Sequence, residues 1–322
     1  MNYISSTITK AILSSFPLLD LQKGLKYIFV FHDVSPADAH QHYPVYSTEV
    51  TVFQNQINWL KKHFRIVSLA ELVKDDSNKD NCASIVFDDG FKSVRDYAFP
   101  ILQKTSTPFT VFVNKHAVVN NWLWCSNLFM AHKNADAGYL KKIYDHFAFT
   151  DLSYEDFNRA PGEALITRKK LKSNYDIFFD EKYSSQPTYL TETDIKFLID
   201  NQCVIGSHTT NHKLLSNCTD QDLEEEIVIN NEFLKQITSK TIDHFAIPFG
   251  FDGTFDTRTV SLAKKFHTHL YSTERTHLSK HHNHSSVYPR IGIRNENLSN
   301  LAYAINLPLV VDLRNTLLKI WS

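Results

Sequence analysis

The hydrophobic positions of the chain fall into short unbroken runs, separated by longer stretches in which apolar residues recur every three or four positions. Residues 26–31 (Lys-Tyr-Ile-Phe-Val-Phe), 84–87 (Ser-Ile-Val-Phe) and 109–113 (Phe-Thr-Val-Phe-Val) are β-branched and aromatic enough to predict strands buried on both faces. Runs at 65–68, 203–206, 242–247, 267–272 and 287–293 predict further strands. Between them, Val52, Phe53, Ile57, Leu60 and Phe64 keep a helical spacing. So do Val94, Tyr97, Ala98, Ile101 and Leu102, with a kink or an early end expected at Pro100. Short and medium helices are predicted over 69–73 and 254–266, and Thr191 with Asp194 marks the start of another. Residues 220–237 predict a long helix, with Leu223, Ile227, Phe233 and Leu234 inward and Glu224, Glu225 and Glu226 on its solvated face.

Strand and helix alternate in this way along most of the chain, which is the pattern of a mainly parallel sheet or barrel. From about 120 to 187 the alternation stops and only helical stretches are found, such as 141–149 and 162–179. No Gly/Ser/Pro-rich linker flanks that region, so it is expected to be an insertion over one face of the sheet within a single catalytic domain spanning 1–322. Residues 298–322 are expected to form a helical tail.

Polar residues stand at the exits of the buried strands. They are His32-Asp33, Asp88-Asp89-Gly90, Ser207-His208 with His212, Pro248-Phe249-Gly250 and Pro289-Arg290. Asp88-Asp89-Gly90 taken alone has two readings, a turn or a pair of carboxylates beside a cation. In parallel α/β folds the strand exits converge on one face, which brings these residues together. Two imidazoles and a carboxylate then make a natural ligand set for zinc or a similar divalent ion, with positions left open for water and substrate.

Composition narrows the classes. The chain has 322 residues, 43% hydrophobic and 21% charged, which suits one large soluble α/β domain or two smaller ones. A net charge of −1 gives no reason to expect nucleic acid or an anionic membrane as a general partner. No apolar run approaches the roughly 18 residues of a membrane span. The four cysteines are scattered, without a Cys-x-x-Cys pair, and are expected as reduced thiols. Residues 1–25 hold only a weak apolar run and no small-residue cleavage site, so the expected location is cytoplasmic. The aromatic share of 13% suits a sugar-binding cleft and equally an aromatic core, and Trp122 and Trp124 are candidates either to stack on a sugar or to pack beneath the insertion.

Val86-Phe87-Asp88-Asp89-Gly90 and Gly206-Ser207-His208-Thr209-Thr210-Asn211-His212 resemble the first two signature motifs of the polysaccharide deacetylase family of metal-dependent carbohydrate esterases. Ala246-Ile247-Pro248-Phe249-Gly250 resembles the third more loosely, and lacks the arginine with which that motif commonly begins. The resemblance implies an α/β fold of the distorted (β/α) barrel type, with about seven strands. It implies Asp89, His208 and His212 as ligands of a divalent metal, zinc above all, and Asp88 as general base. It further implies the Phe249 backbone N–H as oxyanion donor and Arg290 as the holder of Asp88. The family's usual acid, a histidine in a hydrophobic-hydrophobic-His-Asp motif near the C-terminus, has no counterpart after Ile293. Val30-Phe31-His32-Asp33 carries that pattern at the N-terminus, as in a permuted arrangement. His32 is therefore the expected acid with Asp33 its orienting partner, the alternative being a histidine that caps a buried strand.

The implied reaction is removal of an N-acetyl group from an amino sugar in a polysaccharide, an oligosaccharide or a glycan precursor, in surface polysaccharide biosynthesis. Deformylation, O-deacetylation and a non-catalytic glycan-binding barrel are the alternatives. His277, His281, His282 and His284 read as a solvated loop that lines the cleft at most.

Overall fold

The computed structural model of the protein describes residues 23–38, 46–74, 80–171, 175–186, 188–274, 276, 278 and 287–306. The first strand is Lys26–Phe31 (β1), followed by the short Val34–Ser35 (β2), Thr48–Glu49 (β3) and Arg65–Ile66 (β4). Cys82–Phe87 (β5), Phe109–Val113 (β6), Val204–Ser207 (β7), His244–Ala246 (β8) and His269–Tyr271 (β9) come next, then Val287–Tyr288 (β10) and Ile291–Gly292 (β11). Every residue of β1, β5 and β6 is buried, as unbroken apolar runs covered on both faces require.

The main sheet runs in the order β10-β9-β8-β7-β6-β5-β1-β11, with every pair parallel. β4 pairs with the first residues of β5, and β6 pairs with β5 from Ile85 onward. Parallel pairing puts the carboxyl ends of β1, β5, β7 and β8 on one face, where a barrel carries its site. The fold is a distorted (β/α) barrel.

The expected single strand at 287–293 is two strands. β10 lies on the β9 edge of the sheet and β11 on the β1 edge, with only Pro289 and Arg290 between them. Tyr288 and Ile291 are three Cα steps apart, roughly 11 Å at most, so the two edges are brought together and the sheet curls. Proline has no N–H to give to a ladder, and the break falls at that residue. With β4, this division makes nine strands in the main sheet.

Helices Val50–His63, Leu69–Lys74, Glu192–Asp200, Asp220–Thr238 and Thr257–Ala263 cover the outside. The helix after Gly90 begins as a π-helical turn, Val94–Ala98, and continues as Phe99–Lys104 with Pro100 in its first turn. The irregularity thus precedes the proline, and the π turn ahead of Pro100 interrupts the regular ladder to which its missing N–H would otherwise have given a bond. Between β6 and β7 stand Lys115–Asn120, Trp124–Lys133, Ala137–Phe147, Tyr154–Arg159, Pro161–Thr167 and Glu181–Ser184, with a 3-10 turn at Tyr175–Phe178. Their apolar faces share one core with the barrel, since Leu128, Phe157 and Phe178 cluster with Phe91 and Val113. The segment returns along the site strand, where Leu190 N–H donates to Gly90 O and Lys92 N–H to Thr188 O, both at 2.9 Å.

Residues 298–306 are helical. The rest of the expected tail, the N-terminal residues 1–22 and His277, His281, His282 and His284 lie outside the described residues. Among those described, no helix is long and apolar enough to cross a membrane. All four cysteines are buried and free.

Candidate active site

Four of the eleven described non-glycine residues with positive φ stand at the strand exits: Asp89 (68°), Thr209 (68°), His212 (56°) and Phe249 (61°). Each such conformation costs energy that the surroundings must offset, and it turns a side chain away from the path an ordinary turn would give it. Gly250 continues the last of these turns at φ 66°, and a Cβ on it would stand 2.8 Å from the Thr273 nitrogen. At Gly206 a Cβ would come within 2.5 Å of the Phe112 ring, so glycine lets that ring lie beneath the site.

Asp89, His208 and His212 are buried and offer ligand atoms that all lie within 4.8 Å of one another. Asp89 Oδ1 is 3.4 Å from Nε2 of each histidine. That oxygen is buried and has no hydrogen-bond partner among the described residues. A buried carboxylate oxygen left so is costly unless a cation meets it. His208 Nδ1–H donates to Ala246 O at 2.8 Å, which leaves Nε2 with its lone pair turned toward Asp89. Burial pushes the His212 imidazole down to about 4, against the pull of Asp89, so it stays neutral and able to ligate at neutral pH. The donor set fits a divalent metal.

Asp88 is turned to a different partner. Arg290 Nη1–H donates to Asp88 Oδ1 at 2.7 Å and Nη2–H to Oδ2 at 3.0 Å, while Nε–H donates to Ser272 O at 3.0 Å. The guanidinium is fully buried and lies 5.3 Å from the Phe112 ring centroid. Burial pushes the Asp88 carboxyl up, but Arg290, helped by His208 and His32, holds it below the usual carboxylate value. Asp88 Oδ2 is 3.9 Å from His208 Nε2.

A cavity of about 270 Å³ opens over these groups, lined by Asp88, Asp89, His208 and His212 together with His32 and Phe249. His32 is half-buried at the end of β1, with its ring 4.8 Å from that of Tyr46. Burial lowers its pKa, while Asp89 and Asp88 oppose the shift. The Phe249 N–H makes no hydrogen bond among the described residues, and its ring lies edge-on to His212 at 4.7 Å. Tyr46, Phe251, Thr273 and Arg294 line the cavity too. They were not expected from sequence, and of these only Phe251, which follows the Pro248-Phe249-Gly250 exit, stands beside a motif.

Two sequence expectations are corrected, those for Asp33 and Glu226, and the alternative left open for Trp122 and Trp124 falls to packing. Asp33 does not orient His32. It is buried, and its Oδ2 accepts from Ser35 Oγ at 2.9 Å and Ser47 Oγ at 2.7 Å, because β2 turns the carboxylate toward the β2–β3 pair. Trp122 and Trp124 do not line the cavity. Trp122 packs on His116 and Phe179, and Trp124 on Tyr175 and Phe178, which makes both part of the insertion's core. Trp124 also donates its Nε1–H to His212 O at 2.9 Å and so fixes a ligand loop. Glu226 is not on a solvated face. It is fully buried, with Oε2 accepting from Asn211 N–H at 2.9 Å and Oε1 from Asn211 Nδ2 at 2.8 Å. One turn on, Asn230 donates to Val113 O at 2.9 Å and Ser207 Oγ at 2.8 Å. The long helix therefore presents polar residues inward to hold the loop between His208 and His212.

The family model described as polysaccharide deacetylase matches residues 75–270. The chain belongs to the polysaccharide deacetylase family. The family is metal-dependent, and Asp89, His208 and His212 are its possible metal site here. His32 and Arg290 lie outside the matched residues, yet the barrel brings both to the same centre.

Solved structures share the fold. Streptococcus pyogenes deacetylase PplD in complex with acetate is 14% identical over 88% of this chain and 99% of that one, with a TM-score of 0.57. IcaB from Ammonifex degensii is 17% identical over 88% and 98%, also at 0.57. A de-N-acetylase from Aggregatibacter actinomycetemcomitans is 13% identical over 84% and 96%, at 0.54. No curated protein matches the chain.

Proposed function

We propose that the protein is a metal-dependent hydrolase that removes an N-acetyl group from an amino sugar of a polysaccharide, oligosaccharide or glycan precursor, in the assembly of a surface polysaccharide. The observation that carries this reading is a division of labour between neighbours. Asp89 faces two imidazoles, and Asp88 is gripped by Arg290 in the same cavity. The family's activity and the de-N-acetylase among the related folds support it.

A divalent cation held by Asp89, His208 and His212, with zinc the ion that such a donor set suits, supplies Lewis acidity that acidifies water and polarises the acyl oxygen. Asp88 stays ionised on Arg290 and takes the proton of the attacking water. As the water oxygen bonds to the acyl carbon, the Phe249 N–H donates to the oxygen that gains charge. In its protonated form, which the neighbouring Asp88 and Asp89 carboxylates favour against burial, His32 delivers a proton to the sugar nitrogen as the carbon–nitrogen bond breaks, leaving acetate and a free amine.

The test is release of acetate from N-acetylated sugars, nucleotide sugars and oligosaccharides by the purified protein, followed by mass spectrometry. Loss of an acetyl group from one of them is expected. Release of formate alone, or ester cleavage without amide cleavage, would replace the reading by deformylation or O-deacetylation.

A further inference from the structure

A second cavity, of about 340 Å³, adjoins the first and shares Tyr46, Phe249 and Phe251 with it. Its remaining wall comes from the helical insertion, chiefly Phe129, Pro161 and Ile166. Phe251 stands at the junction of the two cavities with 44% of its surface exposed, so its ring is open to both. Arg159, Glu163 and Thr167 stand at the rim of the second cavity, and the half-buried His132 lines it as well. Arg159 pairs with Asp156 at 2.7 Å, Thr167 Oγ1–H donates to Glu163 O at 2.8 Å, and Arg159, Glu163 and Thr167 are all exposed. A subsite for a further sugar would need hydrogen-bonding groups converging inward. Apart from His132 and the Tyr46 hydroxyl, this one offers chiefly aromatic and aliphatic carbon.

We propose that the second cavity binds a hydrocarbon chain attached to the reacting amino sugar, so that the substrate is an amphiphile with its sugar in the first cavity and its apolar portion against the insertion. The proposal rests on the deacetylase reading for the identity of the sugar. It assigns the insertion a part in specificity, because Phe129, Pro161 and Ile166 all belong to it. The continuity of the two cavities through Phe249 also sets the chain beside the oxyanion position, so a bound chain fixes the orientation of the sugar.

The test compares the methyl and octyl glycosides of N-acetylglucosamine on the full chain, with binding read by calorimetry and acetate release read separately. The octyl compound is expected to bind at least about tenfold more tightly, the effect of burying only about two methylene groups. Ile166→Glu places a charge in the apolar wall and Thr167→Trp fills the cavity from its rim. Each is expected to erase the octyl preference and leave methyl glycoside turnover unchanged. Equal binding of the two glycosides, no measurable octyl binding, or a preference that survives both variants would overturn the proposal. An octyl preference erased by the variants, without acetate from either compound, would retain the subsite and count against N-acetylglucosamine as the reacting sugar. Acetate release with equal binding would do the reverse.

Discussion

Arg290 and Asp88, 202 residues apart in the chain, meet as a two-pronged grip in which each guanidinium Nη donates to its own carboxylate oxygen. The contact exists because Arg290 stands in the two-residue gap where the chain leaves one edge of the sheet and joins the other. Barrel closure and the setting of the proposed base are thus one structural event. Arg290→Lys keeps the charge but not the fork. It is expected to lower kcat/KM by about a hundredfold, and Arg290→Met is expected to lower it further and to cost about 3–5 kcal/mol of stability, since a buried carboxylate is left unpaired. The guanidinium lowers the Asp88 pKa, so its removal raises that pKa and the acid limb of the kcat/KM profile moves to higher pH. An acid limb that stays in place would show that Asp88 is not the group titrating there.

The two neighbouring aspartates separate by metal content. Asp88→Asn is expected to retain about one divalent ion per chain and to lose acetate release by several orders of magnitude. Asp89→Asn and His212→Ala are expected to lose the ion as well. Elemental analysis of the purified variants beside an acetate assay decides this. Normal deacetylation by Asp88→Asn would refute the assigned base.

Glu226 supports the loop that carries His212 without touching the proposed metal position. Glu226→Gln leaves one acceptor oxygen where the carboxylate offers two, against the N–H and side-chain amide of Asn211. Metal affinity is expected to fall about 10–100-fold. Added metal should restore activity, which a general loss of folding would not permit. Titration of the apoprotein with zinc in the two forms gives the comparison.

These residues mark where the sequence was informative. The strands β1, β5 and β6 are apolar on both faces, and the residues at their exits stand out because a polar pair after such a strand has few structural uses. Set beside the Ser207-His208 exit of β7, that made Asp89, His208 and His212 legible together. Glu226 was hidden because the triplet Glu224, Glu225 and Glu226 reads as a solvated run, and only helical phase turns the third inward. Trp122 and Trp124 carry no sign in the sequence of which ring faces open space. The division of 287–293 depends on two sheet edges meeting, which is a property of the closed sheet and not of that segment.

Away from the site, His244 and His267 predict an acid limit to stability. Both are buried, with His244 Nδ1 2.7 Å from Tyr271 Oη and His267 Nδ1–H donating to Ile242 O at 2.7 Å. Burial lowers each imidazole to about 4, while the unfolded chain titrates near 6.5. The lowered folded pKa means that their contribution is fully present above about 6.5 and is lost as pH falls toward 4. The loss amounts to about 2–3 kcal/mol for each. Urea midpoints at pH 7 and pH 4.5 should show it, and His267→Asn should flatten the decline. An equal decline in the variant would place the acid sensitivity elsewhere.

His32 is set apart from the other groups by the step it serves, and that step can be isolated. An amide nitrogen is a poor leaving group and needs a proton as the carbon–nitrogen bond breaks, whereas a phenolate leaves without one. His32→Ala is therefore expected to slow release of acetate from an N-acetyl sugar by about 10²–10⁴-fold. Hydrolysis of a phenyl acetate by the same variant should fall only a fewfold, because attack by water on the acyl carbon uses Asp88 and the Phe249 N–H and not His32. His32 stacks near Tyr46 at the end of β1, so a purely structural role would disturb the cavity for both substrates alike. Parallel losses on amide and ester would assign His32 to packing. A loss confined to the amide assigns it the leaving-group proton.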